Sequence, residues 1–281
     1  MADWRASRNR AGATTAGRAV GRPSSPALRG AGGRLAALAR AEVTLLVRNR
    51  TALTTALLMP VVMVLVLKSS LAQMDLDGTG MSVGEGMVIG GIGMVLLLVV
   101  HMNLVSFYVA RREELVLKRL RTGELSDPEI LLGTALPSVA LGLTQCVVLA
   151  VAGTAALDLS APRRPELLVA GIVLVVVVLV ALAAVTTVVT RTTESAQLTT
   201  MPVFLLSIMG SGLFVPLENL PDQLSRIAEL LPMTGAMTLV RTGWLGGAGG
   251  AEVASAAVTS LVWAALSVFA VRRWFRWEPR R

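Results

Sequence analysis

Long apolar runs separated by short charged segments extend along most of the chain, and this alternation predicts membrane-spanning helices. A helix needs about 20 consecutive apolar residues to cross the hydrocarbon core of a bilayer. Six runs approach or reach that length: Thr51–Leu67, Gly86–Ala110, Glu129–Leu157, Glu166–Thr190, Ser195–Val215 and Ala251–Arg272. The pattern therefore predicts an all-α integral membrane protein with six transmembrane helices.

Two further segments precede the first span. Residues 1–33 show no hydrophobic periodicity and are rich in Arg, Ala, Gly, Ser and Pro, a composition typical of a disordered basic tail. Residues 34–50 place leucines on one helical face and arginines on the other, which predicts an amphipathic helix lying in the inner leaflet. We predict a single transmembrane domain over residues 34–275, followed by a short cytoplasmic tail at 276–281.

The carboxylate of Glu42 falls in the middle of the apolar face of this interfacial helix. A charged group at that depth is costly unless it has a partner. We predict an ion pair between Glu42 and Arg111 or Arg112, the basic residues at the end of the second span, which would fasten the interfacial helix to the following loop. The alternative is that the Glu42 side chain reaches water and contributes little.

A charged loop, residues 111–128, connects the second and third spans, and we call it the elbow. Glu114 precedes Lys118 by four residues, the favourable order for a helical ion pair, and apolar residues lie on one flank, so a short amphipathic helix is predicted. Ser126 and Glu129 have the pattern of a capping box that begins the third span. The alternative is a solvated loop that is basic only because it is cytoplasmic.

Residues 215–250 are too long for a simple turn and too mixed in composition for a seventh span. Asp222–Leu231 has the pattern of a short amphipathic helix, and Trp244 is a candidate anchor at the membrane interface. We predict that this outer segment dips into the outer leaflet. The alternative is an ordered surface loop, although loops of this length usually have a function.

The composition agrees with membrane insertion, since 54% of the residues are hydrophobic and the mean hydropathy is +0.68. A net charge of +8 would also fit a nucleic-acid-binding protein. However, 21 of the 26 basic residues lie before the first span, in the elbow, at Arg191 or at the C-terminal end. The positive-inside rule assigns these segments, and both termini, to the cytoplasm. No nucleic-acid partner is needed to explain the charge.

The sequence lacks the motifs of an energy-converting enzyme. It has no glycine-rich phosphate loop followed by Lys and Ser or Thr, and no Cys/His cluster with metal-ligand spacing. We therefore expect no enzymatic activity, metal or cofactor in the chain itself. The predicted spans also contain no acidic residue away from their ends, which argues against ion-driven transport. A membrane protein without such motifs or residues suggests that a separate partner protein supplies the energy.

The single histidine, His101, lies deep in the second span, two residues before Asn103. It could relay protons or contact a substrate. The alternative, which we favour, is a structural hydrogen bond between helices.

Two motifs carry a resemblance to a known family. The elbow sequence RREELVLKRLRTGELSDPEILLG resembles the loop between spans two and three of ABC-2 type exporter permeases. The sequence SGLFVPLENLPDQLSRIAELLPMTGAMTLVR resembles their signature between spans five and six. The chain looks most similar to actinobacterial multidrug-efflux permeases of the daunorubicin type. It departs from the family pattern at Leu115-Val116, where a Gly-Thr pair is common.

The resemblance implies a dimer of permeases, either identical or paralogous, in a bacterial plasma membrane with two cytoplasmic ATP-binding subunits. The elbow would be the coupling helix that seats in those subunits, through Glu113, Glu114, Leu117, Lys118, Arg119, Arg121 and Ser126. A path for a small hydrophobic substrate, such as a drug, an antibiotic or a lipid-like compound, would run between the protomers. It would pass near the second and fifth spans, along His101, Asn103, Met201 and Phe204. The alternatives are a proton-coupled secondary exporter and a membrane scaffold without transport activity.

The arginine distribution makes a testable prediction of topology. Cysteines introduced at Asp222 and at Arg119 should react with an impermeant thiol reagent from opposite sides of the membrane, because the first lies in the outer segment and the second in the elbow. Labelling in intact cells and in inside-out vesicles measures this, with the natural Cys146 replaced by Ser. Labelling of both positions from the same side would contradict the predicted topology.

Overall fold

The computed structural model describes residues 82–122, 126–210, 222–275 and 277–278, together with isolated positions between 40 and 62. All regular secondary structure in these residues is helical. Four of the helices are long and apolar enough to cross a membrane: α1 (Val83–Glu113), α3 (Asp127–Leu157), α4 (Pro165–Val189) and α8 (Gly250–Trp274). The others are shorter: α2 (Val116–Arg121), α5 (Thr193–Gly210), α6 (Asp222–Glu229) and α7 (Thr234–Leu245).

The second, third, fourth and sixth predicted spans correspond to α1, α3, α4 and α8, so four apolar helices are confirmed. The fifth predicted span, Ser195–Val215, corresponds to α5 as far as Gly210. The first predicted span, the interfacial helix at 34–50 and the tail at 1–33 lie outside the described residues, apart from the isolated positions. The total of six spans therefore stays a prediction.

Local capping chemistry sets the starts of the long helices. α1 begins after Ser82, whose backbone N–H and hydroxyl donate to the Glu85 carboxylate at 3.0 and 2.8 Å. α3 begins with the predicted capping box, in which the N–H and hydroxyl of Ser126 donate to Glu129 at 2.8 and 2.7 Å. Pro165 opens α4, at a position where the missing N–H would have had no partner within the helix.

One turn of α1, Leu96–Met102, is a π-helix, which the hydrophobic pattern did not predict. A π turn changes the angular position of the side chains that follow it, and such turns are frequent at functional sites. α3 passes close to this turn, since a Cβ atom at Gly142 would lie 3.0 Å from a methyl group of Val100.

α4 is the central helix of the bundle and packs against α1, α7 and α8, while α1 packs against α3. The main apolar cluster joins these helices through buried side chains that include Val88, Ile92, Leu96, Val100, Leu149, Leu179, Met237, Val240 and Trp244. A second cluster lies toward the elbow and includes Leu104, Val105, Tyr108, Val109, Ala183, Ala184 and Ala196.

The helices α6 and α7 form a hairpin in which α7 packs against α4 and α8. The turn between them lies deep, because the indole N–H of Trp263 donates to the Leu230 carbonyl at 2.7 Å. Trp263 is 13 residues into α8, or about 20 Å along that helix. At its other end α7 returns to the start of α4, where the Gly243 carbonyl accepts from the Arg164 N–H at 2.9 Å. The described residues of this segment therefore form a helical hairpin, and its dip into the outer leaflet stays a prediction.

The proposed role of Trp244 as an interface anchor is wrong. Its side chain is only 2% exposed and belongs to the main apolar cluster. Trp244 lies beside the start of α4, and its side chain is turned into the bundle instead of toward lipid. A tryptophan near the end of a short helix gives the same sequence pattern in both cases, so the pattern alone could not separate them.

Two glycines allow α7 to lie directly against α4. A Cβ atom at Gly171 would lie 2.7 Å from the backbone nitrogen of Val240, and one at Gly243 would overlap the backbone of Leu168. Close backbone approach at small residues is how membrane helices gain packing energy where lipid and protein are equally apolar. Both contacts are with backbone atoms, which cannot rotate away.

Substitution of Gly171 or Gly243 by alanine should therefore lower thermal stability. Alanine is the better helix former by about 1 kcal/mol, but overpacking a rigid contact costs roughly 1–3 kcal/mol, so the net effect is destabilising. The measurement is the melting temperature of the purified protein in detergent. Gly250→Ala is the matched control, since Gly250 is the first residue of α8 and no atom lies within 4 Å of the added methyl. Equal melting temperatures for the three variants would contradict the close packing.

Candidate functional site

Within the elbow, α1 ends at Glu113 and the chain turns into α2. The turn depends on Leu115, which has a φ of +58°, in the left-handed region. This conformation is costly for a residue with a side chain, and glycine adopts it without strain. Leu115 therefore carries a backbone cost at this turn that a glycine would avoid.

The short helix α2 has one buried face and one exposed face. Leu117 is completely buried, whereas Lys118, Arg119 and Arg121 are exposed. Glu113 and Glu114, at the end of α1, are exposed as well. The proposed coupling residues thus form a charged surface, and the buried Leu117 packs it against the bundle. Ser126 lies at the far end of the elbow, where it caps α3.

The predicted helical pair of Glu114 and Lys118 does not share a helix. Glu114 caps the end of α1, and α2 begins two residues later at Val116. Lys118 instead forms an ion pair with Glu278, with 2.8 Å between the ammonium and the carboxylate. The sequence pattern was misleading here because Leu115 interrupts the helix between the two residues.

Arg112 is the buried basic residue of the elbow, with 1% of its surface exposed. One guanidinium nitrogen donates to the carbonyl of Thr187 at 2.9 Å, and another donates to the carbonyl of Thr190 at 2.6 Å. A weaker contact of 3.4 Å reaches the carbonyl of Arg191. These carbonyls lie at the C-terminal end of α4, where helix carbonyls lack partners and the helix dipole favours a cation.

The turn that Arg112 binds is itself stiffened by hydroxyl groups. The Thr190 and Thr199 hydroxyls are 2.7 Å apart and link the end of α4 to α5. Across the turn, the Ser195 N–H donates to the Thr192 hydroxyl at 3.2 Å, and the Thr192 N–H donates to the Ser195 hydroxyl at 3.0 Å. Arg112 therefore connects the elbow to a rigid α4–α5 turn.

This role of Arg112 was not foreseen from sequence, where the residue was a candidate partner of Glu42. Glu42 lies outside the described residues, so the pair with Arg111 or Arg112 stays a prediction. The carbonyl partners of Arg112 are 75 to 78 residues away along the chain. No local pattern carries that information, although an arginine at the end of an apolar run always needs a polar destination.

The four proposed substrate-path residues occupy different environments. His101 is completely buried inside the bundle, and its ring nitrogen Nδ1 is 3.5 Å from the carbonyl of Leu179 on α4. Asn103 on α1 and Met201 on α5 are exposed, and Phe204 is partly buried against the main apolar cluster. The packing of His101 between α1 and α4 agrees with a structural hydrogen bond between helices.

The exposed residues lie on two helices that pack against each other, α1 and α5. Both helices retain exposed apolar side chains: Leu98, Phe107, Leu198, Met201, Leu205 and Met209. A surface of this kind suits contact with lipid, with a second membrane protein or with an apolar ligand.

Comparison with known families gives one match. The model described as ABC-2 type transporter matches residues 34–245, about three quarters of the chain. The matched range contains the elbow, the π turn, the α4–α5 turn and the hairpin of α6 and α7. No curated protein matches the chain.

The geometry of Arg112 predicts a specific mutational pattern. Arg112→Lys keeps the charge but loses the planar fork that reaches separate carbonyls, and should destabilise the protein by about 1.5–3 kcal/mol, the range for a hydrogen bond to a charged group. Arg112→Ala should cost more, because the carbonyls of Thr187 and Thr190 would lose their hydrogen-bond donor at a buried helix end. The measurement is thermal unfolding in detergent. The control is Arg191→Ala, which removes a basic side chain at the same turn but keeps the backbone carbonyl that Arg112 contacts. Wild-type stability of Arg112→Lys would contradict the assigned role.

Proposed function

The chain belongs to the ABC-2 type transporter family, and on that premise we propose that it is the membrane-spanning permease subunit of an ATP-driven exporter. The observation that carries the proposal is the elbow: a charged, exposed helix α2 that is fastened to the bundle by Leu117 and, through Arg112, to the α4–α5 turn. A surface loop with no further function would not need such anchoring.

The energy source in this proposal is a separate ATP-binding subunit, present in two copies. The chain has no phosphate-binding loop, and its predicted spans contain no acidic residue away from their ends. The exposed charges of α2, together with Glu113 and Glu114, are the proposed docking residues. Force applied to α2 would reach the spans along α1 and through the Arg112 contacts.

We further propose that two permease copies, identical or paralogous, form the transport path between them. The exposed apolar faces of α1 and α5 support this, because a permease partner would cover them and Asn103 would face the path rather than lipid. The proposed substrate is a small hydrophobic compound, a drug, an antibiotic or a lipid-like molecule, as in efflux systems of the daunorubicin type. Apolar lining residues such as Met201 and Phe204 support that class.

The proposed location is a bacterial plasma membrane with both termini and the elbow in the cytoplasm. The support is the arginine distribution, which concentrates basic residues on the elbow side of the bundle. The hairpin of α6 and α7 then lies in the outer leaflet. With this orientation the ATP-binding subunits meet α2, and the path opens toward the hairpin side.

The proposal predicts that efflux depends on ATP and not on the proton gradient. Cells that express the chain with its ATP-binding subunit should continue to export a hydrophobic dye when an uncoupler collapses the gradient and ATP is held normal. The control replaces the phosphate-loop lysine of the ATP-binding subunit, which should abolish efflux. Efflux that stops with the uncoupler at normal ATP would favour a proton-coupled exporter, with His101 as the remaining candidate relay.

A further inference from the structure

The helix α2 is too short to set its own orientation. It has six residues, and its N-cap position Leu115 offers no side-chain hydrogen bond. Isolated helices of this length are not stable in water, because nucleation costs more than a single turn returns. The direction in which α2 presents its charges must therefore come from its contacts with the rest of the protein.

Part of that support comes from Phe275, Trp277 and Glu278, which we call the post-α8 segment. The Glu278 carboxylate is 2.8 Å from the Lys118 ammonium. The guanidinium of Arg121 lies over the ring of Trp277, 4.9 Å from its centre, and also contacts the Asp127 carboxylate at 3.1 Å. Two of the basic residues of α2 are thus held by the segment that follows the last helix.

The post-α8 segment is in turn anchored in the bundle by aromatic contacts. Trp277 meets Phe275 edge-on with 5.0 Å between ring centres, and Phe275 meets Tyr108 of α1 edge-on at 6.3 Å. The Tyr108 hydroxyl donates to the carbonyl of Leu131 on α3 at 2.9 Å. Edge-to-face pairs at these separations are favourable. A continuous set of contacts therefore runs from α3 and α1 to the exposed face of α2.

α8 itself packs mainly against α4 and α7, and near its end Val271 packs against the apolar cluster toward the elbow. Its connection to α2 is made by the post-α8 segment. This arrangement makes the segment a brace between the last helix and the elbow, and no motif in the sequence pointed to it.

We propose that the post-α8 segment positions α2 for docking of the ATP-binding subunit, with Trp277 and Glu278 as positioning residues. The inference rests on the proposed function of the elbow. Trp277 and Glu278 act through α2 and hold Arg121 and Lys118 in one orientation. Loss of the brace leaves the basic side chains of α2 in the chain but allows them several orientations. Docking is then weaker, while the catalytic site of the ATP-binding subunit is unchanged.

The test is a titration in proteoliposomes. The full-length chain is reconstituted, its cognate ATP-binding subunit is added at increasing concentration, and stimulated ATP hydrolysis is recorded. Trp277→Ala and Glu278→Lys should each raise the half-saturating concentration about two- to five-fold, the effect of losing one exposed cation–π or ion-pair contact. The double variant should raise it roughly ten-fold, and the maximal rate should be retained. Trp277→Phe, which keeps a ring beneath Arg121, should bind nearly as tightly as the wild type.

Two controls match these variants. Glu166→Lys reverses another exposed ion pair, with Arg164 at 3.4 Å, at the opposite end of the bundle. Trp274→Ala removes an exposed tryptophan that contacts Phe269 on its own helix. Both should leave the half-saturating concentration unchanged. Arg119→Ala changes the docking surface directly and should weaken binding whether or not the brace exists.

The outcomes separate the two proposals. Weaker binding by Arg119→Ala with wild-type binding by Trp277→Ala and Glu278→Lys would overturn the brace and leave the docking role of α2 intact. Wild-type binding by all three variants would overturn both. A lower maximal rate at an unchanged half-saturating concentration would show that the segment only supports folding, which also overturns its positioning role.

Discussion

The hydrogen bonds between the buried guanidinium of Arg112 and the carbonyls that end α4 are the contact on which the elbow end of the bundle depends. A charge can be buried here only because helix-end carbonyls need donors and the helix dipole favours a cation. The same contact fixes α1 to the α4–α5 turn. It therefore connects the end of α1, from which the chain turns into α2, to α4 and α5.

Backbone carbonyls at the hairpin also need hydrogen-bond donors. The hairpin of α6 and α7 brings backbone carbonyls against α8 and the start of α4, where unpaired polar groups are expensive. The Leu230 carbonyl receives the Trp263 N–H, and the Gly243 carbonyl receives the Arg164 N–H. Glycines at the α4 contact let the returning helix lie against the central helix. The elbow and the hairpin are thus joined through α4, which contacts both Arg112 and α7.

The parts of this architecture that follow from local rules could be predicted from the sequence. Long apolar runs predicted α1, α3, α4 and α8, and the Ser126–Glu129 pattern predicted the start of α3. The features that depend on distant contacts could not. Arg112 binds carbonyls more than 70 residues away, the π turn at Leu96–Met102 has no periodic signature, and Trp277 meets α2 only after the last helix has returned to the elbow. Sequence spacing reports neighbours along one element, whereas these contacts join different elements.

The central claim is that a separate ATP-binding subunit docks on α2 and drives the spans through the elbow. Electron cryo-microscopy of the chain with its ATP-binding subunit in lipid nanodiscs, with and without a non-hydrolysable nucleotide, tests this most directly. The account predicts that α2 occupies a cleft of the ATP-binding subunit, and that α2 and the α4–α5 turn move together between the two states while the Arg112 contacts persist. An ATP-binding subunit that contacts the chain elsewhere, or an elbow that moves while the α4–α5 turn stays fixed, would contradict it.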